Sequence, residues 1–94
     1  MVTAIVLVTT EKERVQEAAQ AMLEIEGVTE AYSVTGPYDL VVMVRIPGFE
    51  RLAEIVPENI AQVPGVARTE TMVAFRAYSN HDLDRVWSLG FEER

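Results

Sequence analysis

Chemistry in this chain is concentrated in two short stretches. In Thr35-Gly36-Pro37-Tyr38-Asp39-Leu40, a glycine free to take positive φ precedes a proline that fixes the next angle, which is turn chemistry. A tight turn with free backbone amides can hold a small anion such as a carboxylate. Asp39 can pair with an ammonium group beside it, and Tyr38 adds a flat apolar wall with a polar tip. Gly36, Tyr38 and Asp39 together suit the zwitterionic end of an amino acid. They equally make an ordinary hairpin turn in which Asp39 caps its own backbone. The second stretch is Thr69-Glu70-Thr71. Hydroxyls at Thr69 and Thr71 point to one face of a strand, where they line a polar pocket between subunits or serve as β-branched strand formers.

Nucleophilic, phosphate and metal chemistry find no such footing. There is no Gly-x-Ser-x-Gly elbow, glycine-rich phosphate loop or His-x-x-x-His pair. With no cysteine and one histidine, a disulfide scaffold, a zinc finger, an iron–sulfur cluster and a multi-histidine metal site are excluded within one chain. His81 beside Asp82 reads as a capping or surface histidine, and Glu11, Glu13, Glu17, Glu92 and Glu93 as solvated faces. Ninety-four residues, 49% of them apolar and 24% charged, suit one globular domain. Fifteen acidic against eight basic side chains leave a net charge of −7, which disfavours direct contact with a phosphate backbone. The apolar start, Val2 to Val8, has no basic residue before it and falls short of the roughly 20 residues a membrane span needs. The expected compartment is the cytoplasm, with no membrane contact, metal or cofactor.

The elements that position these stretches follow from periodicity. Residues 3–9 are short and β-branched, with Ala4, Val6 and Val8 on one face and Ile5 and Leu7 on the other. Thr10-Glu11-Lys12-Glu13 has the form of a capping box. Val15, Ala18, Ala19, Met22, Leu23 and Ile25 then recur at helical spacing up to Gly27, a left-handed stop. In residues 28–35, Val28, Tyr32 and Val34 share a face with Glu30 as the exception, and Thr29, Ala31, Ser33 and Thr35 make the other. The turn at 36–39 joins this strand to a second one over 40–46, apolar on both faces. Phe49, Leu52, Val56, Ile60 and Val63 form a second helical stripe, with Pro57 predicted to kink it or start a new turn. A long last strand over 66–78 carries Thr69, Thr71, Val73 and Phe75 on one face.

The halves repeat: Gly27-Val28 recurs as Gly65-Val66, and each copy reads strand, helix, strand. This is the ferredoxin-like βαββαβ arrangement, an α+β fold with a four-stranded antiparallel sheet and two helices on one face. Its first and third strands lie centrally, as their two apolar faces require. The other sheet face then keeps several aliphatic groups unsheltered, each contributing roughly 1.5–3 kcal/mol on full burial. A second copy around a twofold axis, or the chain's own tail, must cover them. That tail, residues 79–94, carries Leu83, Val86 and Trp87 as the stripe of a short helix ended by Gly90. Too short to persist alone, it docks on its own or a neighbouring subunit.

Val34-Thr35-Gly36-Pro37-Tyr38-Asp39-Leu40, the Gly27-Val28 opening of the second strand and Pro64-Gly65-Val66-x-Arg68-Thr69-x-Thr71 occur in an order and spacing that resembles one family. The chain is similar, over about residues 2–77, to the stand-alone ligand-binding (RAM) domain of the Lrp/AsnC feast/famine regulators. The resemblance implies dimers formed through the sheets, in an α/β-barrel-like association, and rings of dimers. It also implies amino acids or related small effectors bound between dimers near the turn, tuning DNA binding by a separate helix-turn-helix domain. Gly36, Tyr38 and Asp39 become the first candidates for effector contact, with Thr69 and Thr71 behind them. Two departures stand out: residue 1 lies almost at the first strand, where the family carries its DNA-binding domain, and residues 79–94 extend past the usual end.

The organisation expected is an effector-binding domain over 1–78 and a helical extension over 79–94. The leading function is a non-enzymatic, oligomeric amino-acid sensor acting through its own assembly or a partner's, including full-length Lrp/AsnC-type regulators. A small dimeric α/β-barrel enzyme is the second reading, though aliphatic and Phe helix stripes offer no polar cavity for it. The third is an oligomerisation module without ligand.

Overall fold

The computed structural model describes residues 1–78 and Asn80. Strand β1 (Val2–Thr10), helix α1 (Val15–Met22), strands β2 (Val28–Ser33) and β3 (Leu40–Ile46), a helical segment α2 over 49–62 and strand β4 (Val66–Val73) follow in order. The sheet is antiparallel with order β2-β3-β1-β4, so the two strands with apolar residues on both faces are central. This is the ferredoxin-like α+β fold expected. The tail helix with Leu83, Val86 and Trp87, and His81, lie outside the described residues.

One parity of each central strand faces the helices. Ala4, Val6 and Val8 of β1 and Leu40, Val42, Val44 and Ile46 of β3 are buried, packed against Ala18 and Met22 of α1 and Leu52, Ile55 and Ile60 of α2. The repeated glycines play matching parts, with φ of +98° at Gly27 and +95° at Gly65, each at the entry to an edge strand. A side chain at Gly65 would also meet Arg14 Cβ at 2.9 Å.

Four local expectations are corrected. The capping box over 10–13 does not form: β1 runs on through Thr10, the Glu11 N–H donates to the Gly65 carbonyl (2.8 Å), and α1 starts only at Val15, capped by no side chain. The Thr10 N–H, which the Glu13 carboxylate would have capped, donates instead to Asp39 Oδ2 (2.8 Å), Glu13 turns the chain at φ +66°, and α1 ends at Met22 with Leu23 49% exposed. Second, β2 carries a bulge between Val28 and Glu30. It moves Val28 to the helix side with Ala31, and puts Glu30 and Tyr32 together on the other face, so Glu30 is no exception.

Third, α2 is not one regular helix. It passes from a 3-10 turn (Phe49–Arg51) through an α-turn (Leu52–Glu54) and a π-turn (Ile55–Asn59) to a second 3-10 turn (Ile60–Gln62). Pro57 has no N–H for an i−4 carbonyl and its ring crowds that carbonyl, and a wider turn relieves both. Side-chain amides satisfy carbonyls there: Asn59 Nδ2 donates to the Glu54 oxygen (3.0 Å) and Gln62 Nε2 to the Pro57 oxygen (3.2 Å). The wider turn resets the helical phase. Ile55 and Ile60, five residues apart, are buried, while Val56 is partly covered and Phe49 is 61% exposed. The last strand is also shorter than expected, ending at Val73 and leaving Phe75 in solvent.

Candidate functional site

Gly36, at φ +116° with open space where a side chain would stand, lets the β2–β3 connection reverse. Asp39 then ties three strands together. Its N–H donates to the Val8 carbonyl (2.9 Å), its carbonyl accepts from Val34 N (3.1 Å), and its Oδ2 accepts the Thr10 N–H at 2.8 Å. The Asp39 carboxylate therefore caps the end of β1 at Thr10. One carboxylate oxygen remains with lone pairs to spare.

Tyr38 braces the turn from the other side. Its hydroxyl donates to the Glu70 carboxylate on β4, and this hydrogen bond, with lesser help from burial and the carboxylate's charge, holds the phenol above its usual range; Arg68 pulls the other way. A matching pair stands on β2: Tyr32 OH donates to Glu30 Oε2 at 2.6 Å and is raised for the same reasons, the hydrogen bond first. Tyr38, Glu70, Arg68, Thr69, Thr9 and Leu7 enclose only about 10 Å³, room for about one water molecule.

The two threonines separate from the turn to different degrees. Thr69 and Thr71 stand opposite Val8 and Val6, on the parity that faces the helices. Thr69 contributes to the wall of the small cavity, whereas Thr71 borders an apolar groove with Phe49, Val56 and Pro57. The residue between them was the one to notice: Glu70 stands opposite Leu7, on the open face with Tyr38. Strand parity carried that signal, because antiparallel partners share a face.

The open face is built in rows across the strands. Tyr32, Val41, Leu7 and Glu70 form one, and Glu30, Met43, Ile5 and Met72 the next. Apolar side chains fill the middle, with Tyr32 and Glu30 on one flank and Glu70 and Met72 on the other. Met72 is 47% exposed, and Ile5, Leu7, Val41 and Met43 are only half-covered. Among the described residues no group of acidic or histidine side chains is placed to hold a metal ion, and no helix is long and apolar enough to cross a membrane.

Two helices on one sheet face, an aliphatic open face and a braced hairpin turn define a ferredoxin-like α+β module. The family model described as the Lrp/AsnC ligand binding domain matches residues 3–83, and the chain belongs to that family. A solved protein from Thermus thermophilus, TTHA0845, shares 49% identity and superposes with a TM-score of 0.79 over 84% of this chain and 99% of its own. The HTH-type transcriptional regulator FL11 of Pyrococcus abyssi is 31% identical over 75 residues, 80% of this chain and 49% of the regulator. A feast or famine regulatory protein from M. tuberculosis, solved in complex with L-methionine, is 26% identical with a TM-score of 0.69, covering 85% of this chain and 54% of its own. The chain spans 40–50% of the length of the HTH-type regulators it matches.

Proposed function

We propose that this domain is an oligomeric, non-enzymatic sensor that holds an amino acid at the Gly36–Asp39 turn, between copies, and acts on transcription through ligand-dependent assembly. The observation that carries this reading is a turn fixed from two sides by Asp39 and Tyr38 that, among the described residues, encloses only about 10 Å³. A rigid half-site calls for a second wall, which a neighbouring copy supplies. Free backbone at Gly36 receives the carboxylate, the unused oxygen of Asp39 the ammonium, and Tyr38 flanks both, with Thr69 at the margin and Thr71 set apart beside Phe49 and Pro57. The M. tuberculosis relative in complex with L-methionine supports an amino acid as the effector class. The bare sheet face supports a homodimer, and family membership supports larger rings and mixed assemblies with full-length regulators. A ligand seated between copies shifts assembly by its differential affinity for the assembled state, typically about 1–3 kcal/mol.

Thermal shift against the twenty amino acids, read beside solution mass, tests the reading. At tenfold over its Kd a ligand stabilises by about 1.4 kcal/mol, which moves Tm by roughly 6–11 °C for a domain of this size. Asp39→Asn keeps an oxygen for the Thr10 amide but removes the charge. It is expected to leave fold and dimer intact while weakening the amino acid by about 10- to 100-fold. An undiminished shift in that variant refutes the site. The Thr10–Asp39 bond also favours a second reading, a ligand-free oligomerisation module, which predicts no shift with any amino acid and a stability loss of about 1–3 kcal/mol for Asp39→Ala.

A further inference from the structure

On the helix side of the sheet, Phe49, Ala53, Val56 and Pro57 of α2 and Thr71 of β4 border an apolar groove of about 370 Å³, with Glu50 in its wall. Its size suits a side chain entering from another molecule, since pockets that take small ligands span roughly 300–1,000 Å³. The groove exists because the π-turn at Pro57 brings Ile55 inward and leaves Phe49 61% exposed. Acidic residues accompany it at four-residue spacing, Glu50, Glu54 and Glu58, so an acidic row runs along the same helical segment. All three are exposed. Arg51 offsets Glu54 at 3.3 Å, whereas Glu50 and Glu58 make no ion pair among the described residues.

We propose that this groove receives a basic segment of another protein, one apolar side chain entering beside Phe49 and Pro57 and lysine or arginine side chains facing Glu50, Glu54 and Glu58. Charge selects the occupant. An apolar floor under an uncompensated acidic row attracts a segment that is apolar on one side and cationic on the other. Nucleic acid, itself a polyanion, is repelled. A second copy of this chain has no basic run to offer, because no two basic residues adjoin anywhere in the sequence. Lys12 stands between Glu11 and Glu13, and Arg14 is held by Glu17 at 2.8 Å. Neither the Gly36–Asp39 turn nor the open sheet face takes part, so this proposal stands apart from the effector reading.

A fluorescein-labelled synthetic peptide of leucine and lysine, patterned as an amphipathic helix, serves as the probe of the full chain in fluorescence anisotropy at low ionic strength. Saturable binding is expected, weakened about tenfold by Phe49→Ala and about as much by Glu50→Lys with Glu58→Lys. Glu24→Lys with Glu26→Lys makes the same change in net charge outside the groove's lining and is expected to leave the affinity nearly unchanged. Replacing the peptide's leucines by serine removes most of the binding. All these positions are exposed, so far-ultraviolet circular dichroism stays that of the unmodified chain in every variant. Absence of binding, equal losses from the two charge reversals, or an equally tight serine peptide overturns the proposal. A fall in solution mass with Phe49→Ala or with the Glu50 and Glu58 reversal also overturns it, by making the groove a contact between copies of this chain. Asp39→Asn leaves peptide binding untouched, so failure of this site and failure of the effector site are read separately.

Discussion

Asp39 and Tyr38 show how a residue selected for its chemistry takes on structural work without losing its chemical capacity. Asp39 uses its N–H, its carbonyl and one carboxylate oxygen to bind β1 and the end of β2 to the turn. Tyr38 spans from the turn to Glu70 on β4. Its raised pKa means that the folded state favours the neutral phenol. The associated stability is complete below the ordinary tyrosine value of about 10 and disappears as pH rises through the folded value. Glu70→Gln keeps an acceptor but removes the carboxylate, so the Tyr38 ionisation is expected to fall toward the ordinary value in an ultraviolet absorbance titration, and the alkaline limit of stability to fall with it. Glu30→Gln should act likewise through Tyr32 and leave Tyr38 unmoved. The sequence made Gly36, Tyr38 and Asp39 conspicuous by type. It held no notice of the Thr10 amide or of Glu70, because both partners arrive from strands 29 and 32 residues away in the chain.

At the scale of elements, the strands were easier to read than the helix boundaries. Apolar residues on both faces of 4–8 and of 40–44 demand a covered place in the sheet, and both strands sit centrally as that pattern requires. Helical phase depends instead on continuity, and Pro57 breaks it. The stripe Phe49, Leu52, Val56, Ile60 and Val63 assumes 3.6 residues per turn throughout, whereas a π-turn brings Ile55 inward and leaves Phe49 in solvent. Ile60→Ala is therefore expected to cost about 2–5 kcal/mol in chemical denaturation. Phe49→Ala, at a mostly exposed position, should change stability by about 0.5 kcal/mol or less. Equal losses at the two positions would contradict the phase shift. The failed capping box teaches the same lesson: Thr10 to Glu13 has the right residue types, but a distant carboxylate, Asp39, takes the Thr10 amide, and Glu11 is drawn to the Gly65 carbonyl.

For the whole molecule, the two parities of one strand meet different surroundings. Val6 is buried against the helices, and Leu7, its neighbour, lies half-covered on the open face. Val6→Glu is expected to unfold the domain, since it buries an unpaired charge. Leu7→Glu should leave circular dichroism intact and shift the sedimentation mass toward a single subunit. A Leu7→Glu protein that keeps its wild-type mass would remove the sheet face from the assembly. Residue types and their periods, properties local to a few positions, settled by themselves that this chain makes a βαββαβ domain with more apolar sheet than its helices shelter. Which parity turned inward, where the β2 bulge and the α2 π-turn reset the phase, and which carboxylate met which amide or phenol were decided only when the strands paired. Those outcomes depend on register and on contacts between distant segments, and no local pattern of residues encodes them.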